Sequence, residues 1–272
     1  MKRLARRAAA ALAMLAALGA AAAEEQLFYV RNGADVLPLA ALRNGQLAAF
    51  PRDAARMPAT RQPYFQFGAG QATFVALDGA APTPCRPASR VRAGTGGADS
   101  GILSALPLRD MASSTPRDVT PAERTLLASM GKQVLARFRV PPHYAARLLG
   151  PDSAEVRRSM VALPQRGAGK PLLFASYALD YVLAGRSGTV ALVLLAEPSD
   201  TGTYLATFKD VDQGDTVNGA AFRKFIANAD LDGDGMEELI LHAAGYEQSG
   251  YEVLSRSGGK WQVVLSTGED GC

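Results

Sequence analysis

From Leu27 onward this 272-residue chain is written in short apolar runs cut by turn dipeptides, a rhythm that commits most of it to antiparallel β-structure. Leu27-Phe28-Tyr29-Val30 precedes Asn32-Gly33, the run at 36–42 precedes Asn44-Gly45, and another run follows at 47–50. Asn and Gly accept the positive φ of a two-residue hairpin turn, so each pair predicts a strand on either side. Residues 71–77 predict a further strand, and Tyr64, Phe65 and Phe67 alternate as core aromatics do. The second half repeats the rhythm. Runs at 172–177, 179–183, 190–195 and 203–208 are separated by Gly185-Arg186-Ser187-Gly188 and Pro198-Ser199-Asp200-Thr201-Gly202, which predicts a meander. Residues 251–254 and 261–265 predict a last hairpin across Ser257-Gly258-Gly259.

One helix interrupts the strands. Thr120-Pro121-Ala122-Glu123 has the make-up of a capping box, in which Thr and Glu side chains satisfy backbone N–H groups that the first turn leaves unpaired. Leu126, Leu127, Met130, Val134, Leu135 and Phe138 then recur at helical spacing, so the helix is expected to reach 138 or 139 and to stop before Pro141-Pro142. Asp152 or Ser153 can cap a shorter helix over 153–160, where Val156 and Met160 are four apart. Residues 80–101, with Pro82, Pro84, Pro87 and Gly94-Thr95-Gly96-Gly97, are expected to form a surface loop that presents Arg86, Arg90 and Arg92. The expected class is mainly β (α+β), with antiparallel sheets or a partial propeller-like meander and one prominent helix near 120–139. The division expected is a leader at 1–23, a β-rich part with the helix at 24–164, and a β part at 165–272, parted at Pro164-Gln165-Arg166-Gly167-Ala168-Gly169.

Residues 1–23 carry Lys2, Arg3, Arg6 and Arg7, then an Ala/Leu/Met run, then Ala21-Ala22-Ala23 before Glu24. That is the layout of a cleaved secretory signal, and it predicts a periplasmic or secreted protein with no membrane span after cleavage. The leader also accounts for the basic balance. The whole chain has 29 basic and 26 acidic residues, and four of the basic ones lie in the leader, so the remainder carries 25 against 26, net −1. Such a charge gives no support to nucleic-acid binding. Cys85 and Cys272 are the only cysteines, and an oxidising compartment favours a bridge between them.

The chemistry is concentrated in Asp230-Leu231-Asp232-Gly233-Asp234-Gly235-Met236-Glu237-Glu238. Carboxylates at alternate positions, with glycines that let the backbone curl, can turn their oxygens to one centre, which suits a hard cation such as calcium. Counted from Asp230, position 12 is Leu241 where an EF-hand needs a bidentate Glu, and Leu239-Ile240-Leu241 predicts a strand where an EF-hand needs a helix. The stretch 225–241 instead resembles a single FG-GAP or VCBS-type repeat, a strand–loop–strand unit of integrin-like propellers and of many exported bacterial β proteins. The resemblance covers about 40 residues in one copy, so it does not imply a whole propeller. It implies Asp230, Asp232, Asp234 and Glu238 as side-chain ligands and the Met236 carbonyl as a backbone ligand. Asp210-Val211-Asp212-Gln213-Gly214-Asp215 exchanges Gly and Asp and is expected to be an acidic turn.

Catalytic patterns are sparse. Gly167-Ala168-Gly169-Lys170 lacks the first glycine and the hydroxyl of a phosphate loop, and no Gly-x-Ser-x-Gly elbow exists. His143 and His242 are the only imidazoles, and neither has a partner at metal-ligand spacing. Carboxylate pairs of the glycoside-hydrolase kind stay open, because spacing in sequence does not fix spacing across a sheet. The expected function is a non-catalytic binding or structural module of the cell envelope, stabilised by one calcium ion, whose partner is an envelope protein or a saccharide. The competing classes are an exported hydrolase with its acids outside the loop, and a peptide or inhibitor binder using the 86–92 arginines.

Overall fold

The computed structural model describes residues 25–33, 35–51, 63–68, 70, 72–83, 86–93, 98–110, 113–151, 154–165, 169–183, 186–215, 220–245 and 249–269, with backbone alone at 78–83, 86–93, 183, 186, 215, 268 and 269. The leader expected at 1–23, Cys85 and Cys272 lie outside them. The fold is mainly β, with three antiparallel sheets and two short helices.

Sheet I has seven strands in the order β3-β2-β1-β7-β4-β5-β6. These are β1 (Gln26–Asn32), β2 (Asp35–Arg43), β3 (Gln46–Ala49), β4 (Pro63–Phe67), β5 (Thr73–Thr83), β6 (Arg86–Ala93) and β7 (Ser100–Ser104). The Asn44-Gly45 turn behaves as its residues require: both have positive φ, 53° and 73°, and Arg43 pairs with Gln46 across it. The expected loop at 80–101 is largely the β5–β6 hairpin instead. Pro82 and Pro87 survive in it because β6 is the outermost strand and the register slips beside Pro82, so few ladder hydrogen bonds are asked of them. Tyr29, Val36, Tyr64, Val75, Leu77 and Leu103 pack as an apolar group on one face of this sheet, and the backbone of β6 comes round close to β2 beside it.

After β7 the chain runs through a connector to α1 (Pro121–Arg137) and α2 (Pro142–Leu149). The capping box is formed in full, with Glu123 N donating to Thr120 Oγ1 at 3.2 Å and Thr120 N donating to Glu123 Oε2 at 2.8 Å. Leu127 and Leu135 are fully buried, each adding about 2 kcal/mol by leaving water, whereas Phe138 caps the helix end and is exposed. The second helix is displaced from its expected position. Residues 142–149 are helical, with proline preorganising the first turn, and Val156–Leu163 is strand β8. Val156 and Met160 are four apart on a helix but also share a face of a strand. Pairing with β9 decides for the strand, and it turns Val156, Met160 and Ala162 to one side.

Sheet II has the order β11-β10-β9-β8, with β9 (Leu172–Leu183), β10 (Arg186–Pro198) and β11 (Tyr204–Asp215). β8 and β9, which flank the boundary expected at 164–169, are antiparallel neighbours in this sheet. Leu173, Ala175, Tyr177 and Leu179 face the helices, while Leu172, Phe174, Val193 and Leu195 face the third sheet. This double cover is why β9 reads as a continuous apolar run. Sheet III is β12 (Phe222–Ala229), β13 (Glu238–Ala244), β14 (Ser249–Ser257) and β15 (Lys260–Glu269), in that order. Its other face packs Ile226, Ala227, Ile240 and Val253 on Phe28, Val30, Phe67 and Ile102 of sheet I. The layers therefore run helices, sheet II, sheet III, sheet I.

Edge strand β12 lies where the layers meet. Its outward amides, Arg223 N and Phe225 N, donate to Ser176 Oγ at 3.3 Å and Ser159 Oγ at 3.0 Å, so hydroxyls from sheet II satisfy an edge that burial would otherwise leave unpaired. Asp210, expected in a turn, is on β11, where its Oδ2 lies 3.0 Å from Arg223 Nη1; Arg223 also donates to both oxygens of Glu252. Among the described residues no helix is long and apolar enough to cross a membrane.

Candidate metal centre

The acidic loop joins β12 to β13, and its local sequence explains its shape. Asp230 accepts from Gly233 N at 2.8 Å and Gly235 N at 3.0 Å, Asp232 from Asp234 N at 3.1 Å, and Asp234 from Met236 N at 2.7 Å. Each is a short side chain closing a turn onto a nearby amide. Gly233 and Gly235 stand at φ 78° and 92°, a region closed to most side chains, so the loop can reverse twice within six residues. As strand pairing resumes, Glu238 becomes the first residue of β13.

Three carboxylates converge. One oxygen each from Asp230, Asp232 and Glu238 lies within 4.8 Å of the others. Oxygen ligands sit about 2.3–2.6 Å from calcium, so two of them on opposite sides of one ion are about 5 Å apart, and the cluster has the span of a single coordination sphere. Asp234 stands outside the three; its Oδ1 is engaged by the Met236 amide.

Glu238 is the unusual member. It has no exposed surface, its Oε2 accepts from Leu231 N at 2.8 Å, and its Oε1 has no hydrogen-bond partner. Burial pushes its carboxyl up to about 8; the Leu231 amide and the Ser255 hydroxyl oppose that rise, and the charges of Asp232 and Asp234 add to it. Asp232 is raised as well, by burial first and then by Asp234 and Asp230. The loop thus gathers three carboxyl groups, one of them wholly buried, and supplies no positive side chain to any of them.

A second set of contacts has no signature in the sequence. Glu237 turns away from the cluster: its Oε1 accepts from Ser114 N at 2.5 Å, and its Oε2 from Ser114 Oγ at 2.5 Å and Asn228 Nδ2 at 2.7 Å. Arg109 Nη1 donates to Gly233 O at 3.3 Å. Ser113 Oγ donates to Gly70 O at 3.0 Å and accepts from Gly68 N, while Arg117 bridges to Ala162 of β8. The connector between β7 and α1 is therefore a strap tied to sheet I, to the acidic loop and to sheet II in turn. Ser114 and Glu237 are 123 residues apart, so nothing local could join them.

The two imidazoles stand elsewhere. His143 packs beside Tyr144, and His242 on β13 lies 5.1 Å from the Tyr251 ring. The side chains of Arg86, Arg90 and Arg92 lie outside the described residues. Fold and cluster together define a layered β protein with an acidic strand–loop–strand turn at the junction of its sheets. Neither a protein-family model, a curated protein nor a solved structure matches the chain.

Proposed function

We propose that the loop at 230–238 is a calcium site of the FG-GAP or VCBS type, and that the chain is a non-catalytic binding or structural module working in the periplasm or outside the cell. The observation that carries the reading is Glu238, whose Oε1 is buried with no hydrogen-bond partner and whose carboxylate converges with those of Asp230 and Asp232. A buried carboxylate oxygen without a partner is costly, and two neighbouring acids make ionisation costlier still. A divalent cation reverses that sum. Asp230, Asp232 and Glu238 would hold it, and the family pattern adds Asp234 and the Met236 carbonyl. An all-oxygen donor set rich in carboxylates favours calcium over magnesium, which demands a tighter octahedron.

The role that follows is mechanical. The loop that would close around the ion also holds the strap through Gly233 and Glu237, so ordering it secures the place where sheets I, II and III meet. The experiment is a thermal melt of the mature chain in calcium and in EDTA. Calcium raises the midpoint and EDTA lowers it; identical curves sink the proposal.

A further inference from the structure

Three buried polar atoms that the acidic loop does not use lie on the other side of sheet III, facing sheet II. Glu197, near the end of β10, is 7 % exposed, and its Oε2 has no hydrogen-bond partner. Arg256 on β14 forms an ion pair with it, but at 3.6 Å from Glu197 Oε1 its Nε is beyond a hydrogen bond and has no hydrogen-bond partner. Trp261 on β15 stands directly across the ladder from Arg256 and is 6 % exposed, with its indole Nε1–H unpartnered. Cross-strand partners have Cβ atoms about 5 Å apart on one face, so the three side chains share one small region at the rim of the sheet II–sheet III gap.

The unmet groups are two N–H donors and one carboxylate acceptor. An anion meets Glu197, a cation meets Arg256, and an apolar group satisfies none of the three. A neutral hydroxyl oxygen satisfies all of them, since it accepts twice and donates once. We propose that Glu197, Arg256 and Trp261 form a slot for a neutral hydroxyl group, which accepts from Trp261 Nε1 and Arg256 Nε and donates to Glu197 Oε2. Trp261 is packed among Leu163, Leu172, Leu195 and Leu254, so it acts through its N–H edge and not as a stacking platform. The Arg256 side chain is 35 % exposed although its Nε is buried, so the three atoms lie beneath a side chain that itself meets solvent. The hydroxyl has two possible sources, an ordered water or one hydroxyl of a saccharide or other polyol. The slot is independent of the acidic loop, and its test does not depend on calcium.

Trp261 is the only tryptophan in the chain, so its fluorescence reports this slot alone. The experiment pairs a crystal structure of the full mature chain, free and soaked in glucose, with a glucose titration of Trp261 emission in wild type and Glu197→Gln. The expected result is one uncharged oxygen within about 3.2 Å of all three atoms. If the density is a lone water in both crystals and glucose leaves the emission unchanged, water is the resident hydroxyl. If glucose enters the density and gives a saturable emission change that is lost in Glu197→Gln, the slot takes a saccharide. The proposal is overturned if the three side chains close onto one another with no oxygen between them, or if an ion of either sign lies there.

Discussion

Replacing Glu238 by Gln removes one charge from the acidic loop and almost no volume, and its consequences with and without calcium differ in sign. In the cation-free protein, burial and the neighbouring aspartates hold the Glu238 carboxyl near 8, against an ordinary value of 4.5. A raised carboxyl means that the folded chain keeps a proton which the unfolded chain gives up between those values. Cation-free stability therefore falls as pH rises from about 5 to 8, by up to about 1.4 kcal/mol per unit. Gln does not titrate, still offers the Leu231 amide an acceptor, and abolishes that slope. At pH 7 without calcium the variant is at least as stable as wild type. The proposed calcium ion should reverse the order. At a dissociation constant of about 10⁻⁴ to 10⁻³ M, as in extracellular modules, about 10 mM calcium stabilises wild type by about 1.4–2.7 kcal/mol. For a chain of this size that is about 3–11 °C in melting temperature, and Glu238→Gln loses most of it. Differential scanning calorimetry at pH 5, 6, 7 and 8, in EDTA and in calcium, reads every quantity. A variant that keeps the full calcium shift, or a cation-free wild type that grows more stable toward pH 8, refutes the reasoning.

Other perturbations reach the rest of the architecture. Hydrogen exchange at the Ser114 amide, which donates to Glu237, should slow more in calcium relative to EDTA than exchange in α1, because the strap and not the helix is tied to the loop. Arg223→Leu strips both Glu252, whose side chain is 12 % exposed, and Asp210 of their partner, so urea denaturation should show a loss of about 3–5 kcal/mol. Glu123 is held down at about 2, chiefly by the Arg117 guanidinium and then by the Thr120 amide and hydroxyl. Its stabilisation is present above its ordinary value of 4.5 and disappears as pH falls toward 2. Glu123→Gln should therefore cost about 1 kcal/mol at pH 6, discounted because Arg117 is largely solvated, and nothing near pH 2 by chemical denaturation.

The elements legible in the sequence were those whose cause is local. Asn44-Gly45 closes a hairpin because two adjacent residues tolerate positive φ, and Thr120 with Glu123 caps α1 because each reaches an amide three residues away. The acidic loop was legible for the same reason, since its turns close within five residues. What the sequence concealed depends on partners distant in the chain. Residues 156–163 carry a spacing that serves helix and strand alike, and only β9 alongside makes them a strand. Pro82 and Pro87 look like breakers until β6 is placed at the edge of a sheet. Glu237 and Glu238 are neighbours of one kind, yet one meets Ser114 and Asn228 and the other turns into the cluster, a division set by strand β13 and the strap.

The central claim is that one cation completes the cluster of Asp230, Asp232 and Glu238. Isothermal titration of the chelator-treated chain lacking residues 1–23 with calcium tests it directly. The account predicts one saturable site per chain, lost in Asp230→Asn and in Glu238→Gln, with each variant still folded by circular dichroism. A titration without saturable heat, or one equally strong in both variants, contradicts it.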